Sequence, residues 1–245
     1  MSETLSPSLD PALSALHLDV LYETDDRGRL LRVRGSDRPP PLAHLLRTPL
    51  GNRWLVGATL PEDTAARLDT SFADEPVTDP DEWEQHEPRC LEVVRALLDP
   101  FRRPGPRAPE YRGPAFAFPD ELVIIGTSEV YQPDGDASLV SADLGWIVHA
   151  SEEERPLLVA RDEQGVVVSV CHAARATSEG AEAGLDTAPE ARRRGHALAV
   201  TSRWAVEVRA SGRTALYSTA WENEASRAVA RRLGLVRYAE DWHFG

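Results

Sequence analysis

A basic cluster lies at a predicted junction between a strand and a helix. The stretch TAPEARRRGHALAV, residues 187–200, places three arginines directly before Gly195, and an apolar helical pattern follows. The first turn of a helix leaves about four backbone N–H groups without partners and carries a partial positive charge. Both features favour a phosphate, and arginine guanidinium groups add further donors to phosphate oxygens. These residue types in this order predict an anion site.

The alternative is a solvated helix start that binds nothing. Cations near a helix N-terminus oppose the helix dipole by about 0.3–1 kcal/mol each. Arg192, Arg193 and Arg194 are therefore unfavourable at this position unless an anion binds. The charge of the arginines favours the anion site. A solvated helix start that binds nothing stays open as a second interpretation.

The elements around this corner predict a mixed α/β layer. Strands are predicted at 179–188, 214–220 and 236–244, helices at 196–210 and 223–234, and a hairpin at 155–174. The order of hairpin, strand, helix, strand, helix and strand is typical of a mixed sheet with a crossover helix.

The preceding sequence predicts an α+β region. Residues 16–35 have the pattern of two strands around an Asp-Asp-Arg-Gly turn, and residues 90–101 that of an amphipathic helix. Residues 102–116 contain four prolines and neither helical nor strand periodicity, so they are the best candidate for a linker. A further strand is predicted at 121–132, and 141–150 is a short helix or irregular segment.

Composition excludes several classes of function. The net charge is −13, which argues against a general nucleic-acid-binding protein because such a protein needs a basic surface. The sequence has no signal-peptide pattern and no long apolar run, so we expect a cytoplasmic protein without a membrane partner. All 27 basic residues are arginine, which excludes a lysine Schiff base.

Cysteine and histidine usage predicts no metal site. Cys90 and Cys171 are the only cysteines, too few for a disulfide framework or a cysteine metal cage. The seven histidines show no metal-ligand spacing along the chain. Cys171 and His172 are neighbours in a predicted strand and therefore point to opposite faces, so we expect Cys171 to be a buried strand residue.

Two motifs together resemble the GNAT superfamily, the GCN5-related N-acetyltransferases. Residues 192–197 have the form Arg-x-x-Gly-x-Ala, which resembles the family's pyrophosphate loop, Gln/Arg-x-x-Gly-x-Gly/Ala. Residues 221–238, WENEASRAVARRLGLVRY, are similar to the family's Asn-x-x-(Ala/Ser) helix that ends in Leu-Gly-Phe. The resemblance covers roughly residues 155–245 and implies a GNAT domain over 112–245. Residues 1–105 would then be a specificity region or a degenerate GNAT-like copy.

The resemblance implies an acetyl-CoA site where two parallel strands, at 184–187 and 216–219, splay apart. The cosubstrate's pantetheine arm would pair with backbone groups of one strand, and its pyrophosphate would lie on the loop. The implied binding residues are Leu185, Asp186, Thr187, Arg192, Arg193, Arg194, Gly195, His196, Ala197, Leu198, Asn223 and Ser226. Asn223 also has the alternative role of a plain helix cap.

Catalysis in this family is direct attack of an amine on the thioester, which needs a proton acceptor and a proton donor. Glu182 and Asp186 share strand parity, so either is a candidate acceptor, with ordinary exposed acids as the alternative. Many family members carry the donor tyrosine at a position that Ala230 occupies here. Tyr217 and Ser218, on the adjacent strand, are the candidate substitutes, and a plain core residue is the alternative for Tyr217.

Three functions follow from these observations. The first is an N-acetyltransferase that acts on a small-molecule or peptide amine, without nucleic-acid or membrane partners and with a homodimer as an open option. The second is a non-catalytic acyl-CoA-binding sensor or scaffold of GNAT fold, which Ala230 favours. The third is an interaction protein whose arginine loop binds nothing.

Overall fold

The computed structural model describes residues 11–102, 110–131 and 137–245. The helices are α1 Pro11–Leu21, α2 Glu62–Ala73, α3 Leu91–Leu98, α4 His196–Ala210 and α5 Glu224–Arg232. The strands are β1 Tyr22–Thr24, β2 Leu30–Val33, β3 Ala43–Arg47, β4 Arg53–Val56, β5 Tyr111–Ala117, β6 Glu129–Val130, β7 Leu158–Arg161, β8 Val167–Ala176, β9 Gly180–Thr187, β10 Thr214–Ser218 and β11 Val236–Phe244.

The described chain divides into two compact units. The first comprises the residues up to Ala117 together with 218–224 and 236–245, and the second comprises 118–217 and 225–235. The sequence regions predicted above, 1–105 and 112–245, are not tested by this division and stay predictions.

The first unit is built on an antiparallel sheet in the order β4-β3-β11-β5. Helices α2 and α3 pack with residues of this sheet in one apolar core. In α3, Leu91, Val94, Leu97 and Leu98 are buried, the spacing that puts them on one helix face. The amphipathic helix expected over 90–101 is therefore present, although it ends three residues earlier, at Leu98.

Two predictions for the first unit were wrong in part. The two strands expected around the Asp-Asp-Arg-Gly turn are present as the antiparallel pair β1 and β2, but residues 16–21 belong to α1 and not to the first strand. Residues 111–117 form β5, although 102–116 was the candidate linker, because β11 supplies an antiparallel partner from the far end of the chain. Residues 103–109 of the candidate linker lie outside the described residues.

The second unit contains a sheet in the order β6-β7-β8-β9-β10. The predicted hairpin is confirmed: β7 and β8 are antiparallel, and the Asp162 carboxylate accepts the amides of Gln164 and Val166 in the turn. Helix α4 contacts β7, β8 and β9, and it connects β9 to its parallel neighbour β10. The predicted mixed α/β class is thus confirmed.

Other predictions for the second unit had mixed outcomes. The strand predicted at 121–132 is limited, in the described residues 121–131, to the two-residue edge strand β6. Residues 142–149, the short helix or irregular segment, form a 3-10 helix. No helix in the described segments is both long and apolar enough to cross a membrane.

Candidate functional site

The arginine loop lies between β9 and α4 and has two left-handed backbone positions. A 3-10 turn over Pro189–Ala191 leads into the loop, and α4 begins at His196. Arg193 has φ 64° and Gly195 has φ 91°. A Cβ on Gly195 would meet no atom within 4 Å, so glycine is favoured there by its backbone conformation and not by crowding.

The loop exposes a run of backbone donors. After Arg192, the next N–H with a backbone acceptor is that of Ala199, which donates to the Gly195 carbonyl at 3.1 Å. Within the described chain, the N–H groups of 193–198 make no hydrogen bond. The arginine side chains at 192–194 are exposed, and the Arg192 Nε donates to the Thr187 carbonyl at 3.3 Å. Open amides beside exposed cations fit a phosphate group.

Strand β9 separates from β10 before either strand ends. Their registered pairs are Gly180 with Thr214, Ala181 with Ala215 and Glu182 with Leu216. On its other edge β9 stays paired with β8 as far as Thr187. Residues 183–187, which include the predicted Leu185, Asp186 and Thr187, therefore have one edge without a strand partner in the described chain. That edge fits an extended amide-bearing arm, which can pair as an added strand.

The two predicted acids share a face of β9 but have different surroundings. Glu182 is 5% exposed, and its carboxylate accepts a 2.7 Å hydrogen bond from Arg175 of β8. Asp186 is exposed. The opposite face of β9 holds Leu185, whose partner Cys171 lies beside Thr201 of α4. Helix α4 therefore covers the face that does not carry the two acids.

His172 is a candidate that the sequence argument missed. It lies opposite Gly184 in the β8–β9 register, and a Cβ on Gly184 would come 2.2 Å from its Nε2 atom. The Trp146 ring centroid is 4.7 Å away at an interplanar angle of 60°. Its Nδ1 atom is buried without a hydrogen-bond partner among the described residues. The only sequence signal was Gly184, and using it requires the register between the strands.

Burial lowers the pKa of His172 below its ordinary value, although the nearby carboxylates of Glu154 and Asp186 oppose the shift. The imidazole on this face is consequently neutral at pH 7. Cys171 is fully buried as expected, and burial raises the pKa of its thiol far above the ordinary range. A thiol that stays protonated is a poor nucleophile.

The structure brings two predicted site residues, Tyr217 and Ser226, together. The Tyr217 hydroxyl is hydrogen-bonded to the Ser226 hydroxyl, and it donates to the Ser226 carbonyl at 3.3 Å. Burial raises the pKa of Tyr217 to about 12. Asn223 is exposed and directly precedes α5, and it belongs to the first unit. Ala230, in the family's tyrosine position, is buried.

The comparison that decides the family covers much of this site. Residues 158–241 match the family model of the GNAT acetyltransferases. This segment belongs to the GNAT superfamily. The match includes the hairpin, the loop before α4, and the parallel pair β9 and β10. No curated protein matches the sequence.

Solved structures of GNAT proteins are similar at low identity. A GCN5-related N-acetyltransferase from Kribbella flavida is 17% identical with a TM-score of 0.47, covering 95% of this chain and 93% of its own. A GCN5-related N-acetyltransferase-like protein from Streptococcus suis is 15% identical with a TM-score of 0.45, covering 84% and 86%. An acetyltransferase of the GNAT family from Colwellia psychrerythraea is 12% identical with a TM-score of 0.44, covering 79% and 76%.

Proposed function

We propose that the protein is an acetyl-CoA-dependent N-acetyltransferase that transfers an acetyl group to a small-molecule or peptide amine. The observation that carries this proposal is a strand edge without a strand partner that lies shortly before a loop with open amides. The open edge of β9 at 183–187 leads into the donor-rich loop at 193–198, within the GNAT segment. Such a combination matches a ligand with an amide-bearing arm and a pyrophosphate, and acetyl-CoA has both.

In this proposal the loop and the strand edge orient the cosubstrate, which supplies a thioester carbonyl and a thiolate leaving group. The amine nitrogen attacks the carbonyl carbon, the carbon–sulfur bond breaks, and the nitrogen loses one proton. Amides of Arg193 to Leu198 hold the anionic end, and Arg192 stabilises the loop by its bond to the Thr187 carbonyl. Asn223 and Ser226 stay assigned to the cosubstrate side as predictions.

Two groups on one face of the sheet compete for the role of proton acceptor. The Glu182 carboxylate is held by Arg175, whereas the neutral His172 imidazole has an unpartnered buried Nδ1 atom among the described residues. We assign the role of proton acceptor to His172 and a positioning role to Glu182. Substituting His172→Gln should lower kcat by about 10²–10⁴-fold, while Glu182→Gln should change it less. A larger loss for Glu182→Gln, with normal folding, would reverse the assignment.

Tyr217 is poorly matched to proton transfer. Its pKa of about 12 lies well above that of a simple thiol, about 8.5, so transfer of its proton to a thiolate is uphill. We therefore give Tyr217 a hydrogen-bonding role and leave protonation of the sulfur to solvent. Substituting Tyr217→Phe should lower kcat by less than His172→Gln does.

A second function, acyl-CoA binding without catalysis, is favoured by Ala230. Calorimetric titration with acetyl-CoA tests binding, and release of free thiol in the presence of a panel of amines tests transfer. Binding with thiol release supports the transferase. Binding without thiol release for any amine supports the sensor or scaffold, and no binding at micromolar concentrations contradicts both. Cytoplasmic location, a homodimer and the lack of nucleic-acid and membrane partners stay predictions.

A further inference from the structure

Three ligand-type side chains converge in the interior of the first unit, outside the proposed acetyl-CoA site. They are His17 of α1, His44 of β3 and Asp241 of β11. Their ligand atoms lie within 4.8 Å of one another, and each residue is at most 2% exposed. Because these residues are far apart in the sequence, spacing along the chain gave no sign of the cluster.

Both imidazoles approach the same carboxylate oxygen through the same ring atom. The Nε2 atoms of His17 and His44 lie 2.9 and 3.0 Å from the Asp241 Oδ1 atom. Nitrogen and oxygen ligands lie about 2.0–2.2 Å from Zn²⁺, so two ligands at right angles on one ion are separated by about 3 Å. The two separations from the Asp241 Oδ1 atom are therefore compatible with each imidazole sharing one small divalent ion with the carboxylate.

The other nitrogen of each ring is held by a tyrosine. The His17 Nδ1 atom is hydrogen-bonded to the Tyr238 hydroxyl, and the His44 Nδ1 atom lies 2.9 Å from the Tyr22 hydroxyl. A histidine that binds a metal through Nε2 commonly donates its Nδ1–H to an outer oxygen, which fixes the tautomer and the ring orientation. The tyrosines direct both Nε2 atoms at Asp241 in that way.

Charge also favours a cation here. A fully buried carboxylate is unfavourable unless a cation compensates its charge. A divalent cation supplies the charge and uses the neutral Nε2 atoms as ligands. Two imidazoles and one carboxylate suit zinc and its transition-metal neighbours, whereas calcium and magnesium prefer all-oxygen sites.

We propose that His17, His44 and Asp241 bind one transition-metal dication of the zinc class. The ion is structural in this proposal: it fastens α1 to strands β3 and β11, and it takes no part in acetyl transfer. Its loss should therefore lower the thermal stability of the protein, because a ligand that binds only the folded chain stabilises it by mass action.

The full-length, tag-free protein tests this site. After incubation with Zn²⁺ and gel filtration, elemental analysis should find about one zinc per chain. Cobalt substitution should give visible d–d absorption, and a strong chelator should lower Tm. His86→Gln removes an exposed histidine elsewhere in the unit and is the matched control, which should keep the zinc. His17→Gln should lose it.

A milder pair of variants covers the case in which His17→Gln does not fold. Tyr22→Phe keeps all three ligands and should weaken zinc binding by about 10–100-fold in a chelator competition. Tyr131→Phe, which removes a buried tyrosine hydroxyl in the second unit, should leave zinc affinity unchanged.

Two results would overturn the assignment. One is a folded wild-type chain that retains no zinc and whose Tm is the same with zinc and with chelator. The cluster would then be a proton-sharing network in which a protonated imidazole balances Asp241. The other is equal zinc content in wild type and folded His17→Gln.

Discussion

The arginines of the two units have opposite surroundings. In the second unit, the side chains at 192–194 are exposed, and the amides beside them have no acceptor in the described chain. In the first unit, Arg47 is 1% exposed and donates to the Glu240 carboxylate, the Thr78 hydroxyl and the His86 carbonyl. Uncompensated charge at the surface is available to a ligand, whereas compensated charge in the core stabilises the fold.

The largest expected effect is on the buried arginine. Arg47→Met should lower the free energy of unfolding by about 3–5 kcal/mol, because it leaves the Glu240 carboxylate buried without its cation. Arg27→Met, at an exposed ion pair of 3.7 Å, is the control and should cost less than about 1 kcal/mol. Urea unfolding measures both. If both variants lose the same free energy of unfolding, core and surface arginines do not differ in their contribution to stability.

The affinity for acetyl-CoA tests the role of the exposed arginine loop. Gly195→Glu should weaken acetyl-CoA binding by about 100-fold or more, roughly 2.7 kcal/mol, because it adds an anion where the pyrophosphate is proposed. Gly165→Glu is the matched control, since Gly165 also has a positive φ, 83°, and open space around its Cβ position. Calorimetry on both variants measures the affinity. Unchanged binding in folded Gly195→Glu would place the pyrophosphate elsewhere.

A smaller change tests the packing of His172 on Gly184. Gly184→Ala should cost about 1–3 kcal/mol of stability and reduce transferase activity, because the new Cβ displaces the imidazole. Gly145→Ala, where a Cβ meets no atom within 4 Å, should be nearly neutral. Thermal unfolding and thiol release measure the two effects. Normal activity in Gly184→Ala would show that the ring position does not matter.

The smallest effect is a pH dependence of stability. His172 has a lower pKa in the folded chain than its ordinary 6.5, so the unfolded chain binds more protons between the two values. Stability from this residue is present above about pH 6.5 and is lost as the pH falls through the folded pKa. His172→Gln should flatten this part of the stability curve. Urea unfolding between pH 7 and pH 5 measures this. If the free energy of unfolding changes with pH equally in wild type and in His172→Gln, the prediction is contradicted.

Sequence reasoning succeeded where local pattern decides structure. The hairpin, the parallel strands and α4 follow from apolar periodicity and from turn residues such as Gly165 and Gly195, which need a positive φ. It failed in the first unit, where partners are distant. In α1 the buried residues Leu13, His17, Val20 and Leu21 have helical spacing, but His17 is polar, and its hydrogen-bond partners Tyr238 and Asp241 come from the far end of the chain.

The candidate site divides in the same way. The loop at 192–198 was predictable because a helix start and a glycine act locally. The environment of Glu182 was not predictable, because a register shift in β8 places Arg175 opposite Glu182. The position of His172 likewise depends on its cross-strand neighbour Gly184, which spacing along one strand does not show.

The early separation of β9 from β10 has a consequence for hydrogen–deuterium exchange. Along 183–187, alternate amides point toward β8 or toward the open edge, so alternate residues should exchange slowly and quickly. A ligand arm that pairs with the open edge should slow only the fast set. The slowly exchanging amides of the strand thereby serve as the reference for the fast ones. A residue-resolved exchange experiment would report directly whether a ligand occupies the open edge.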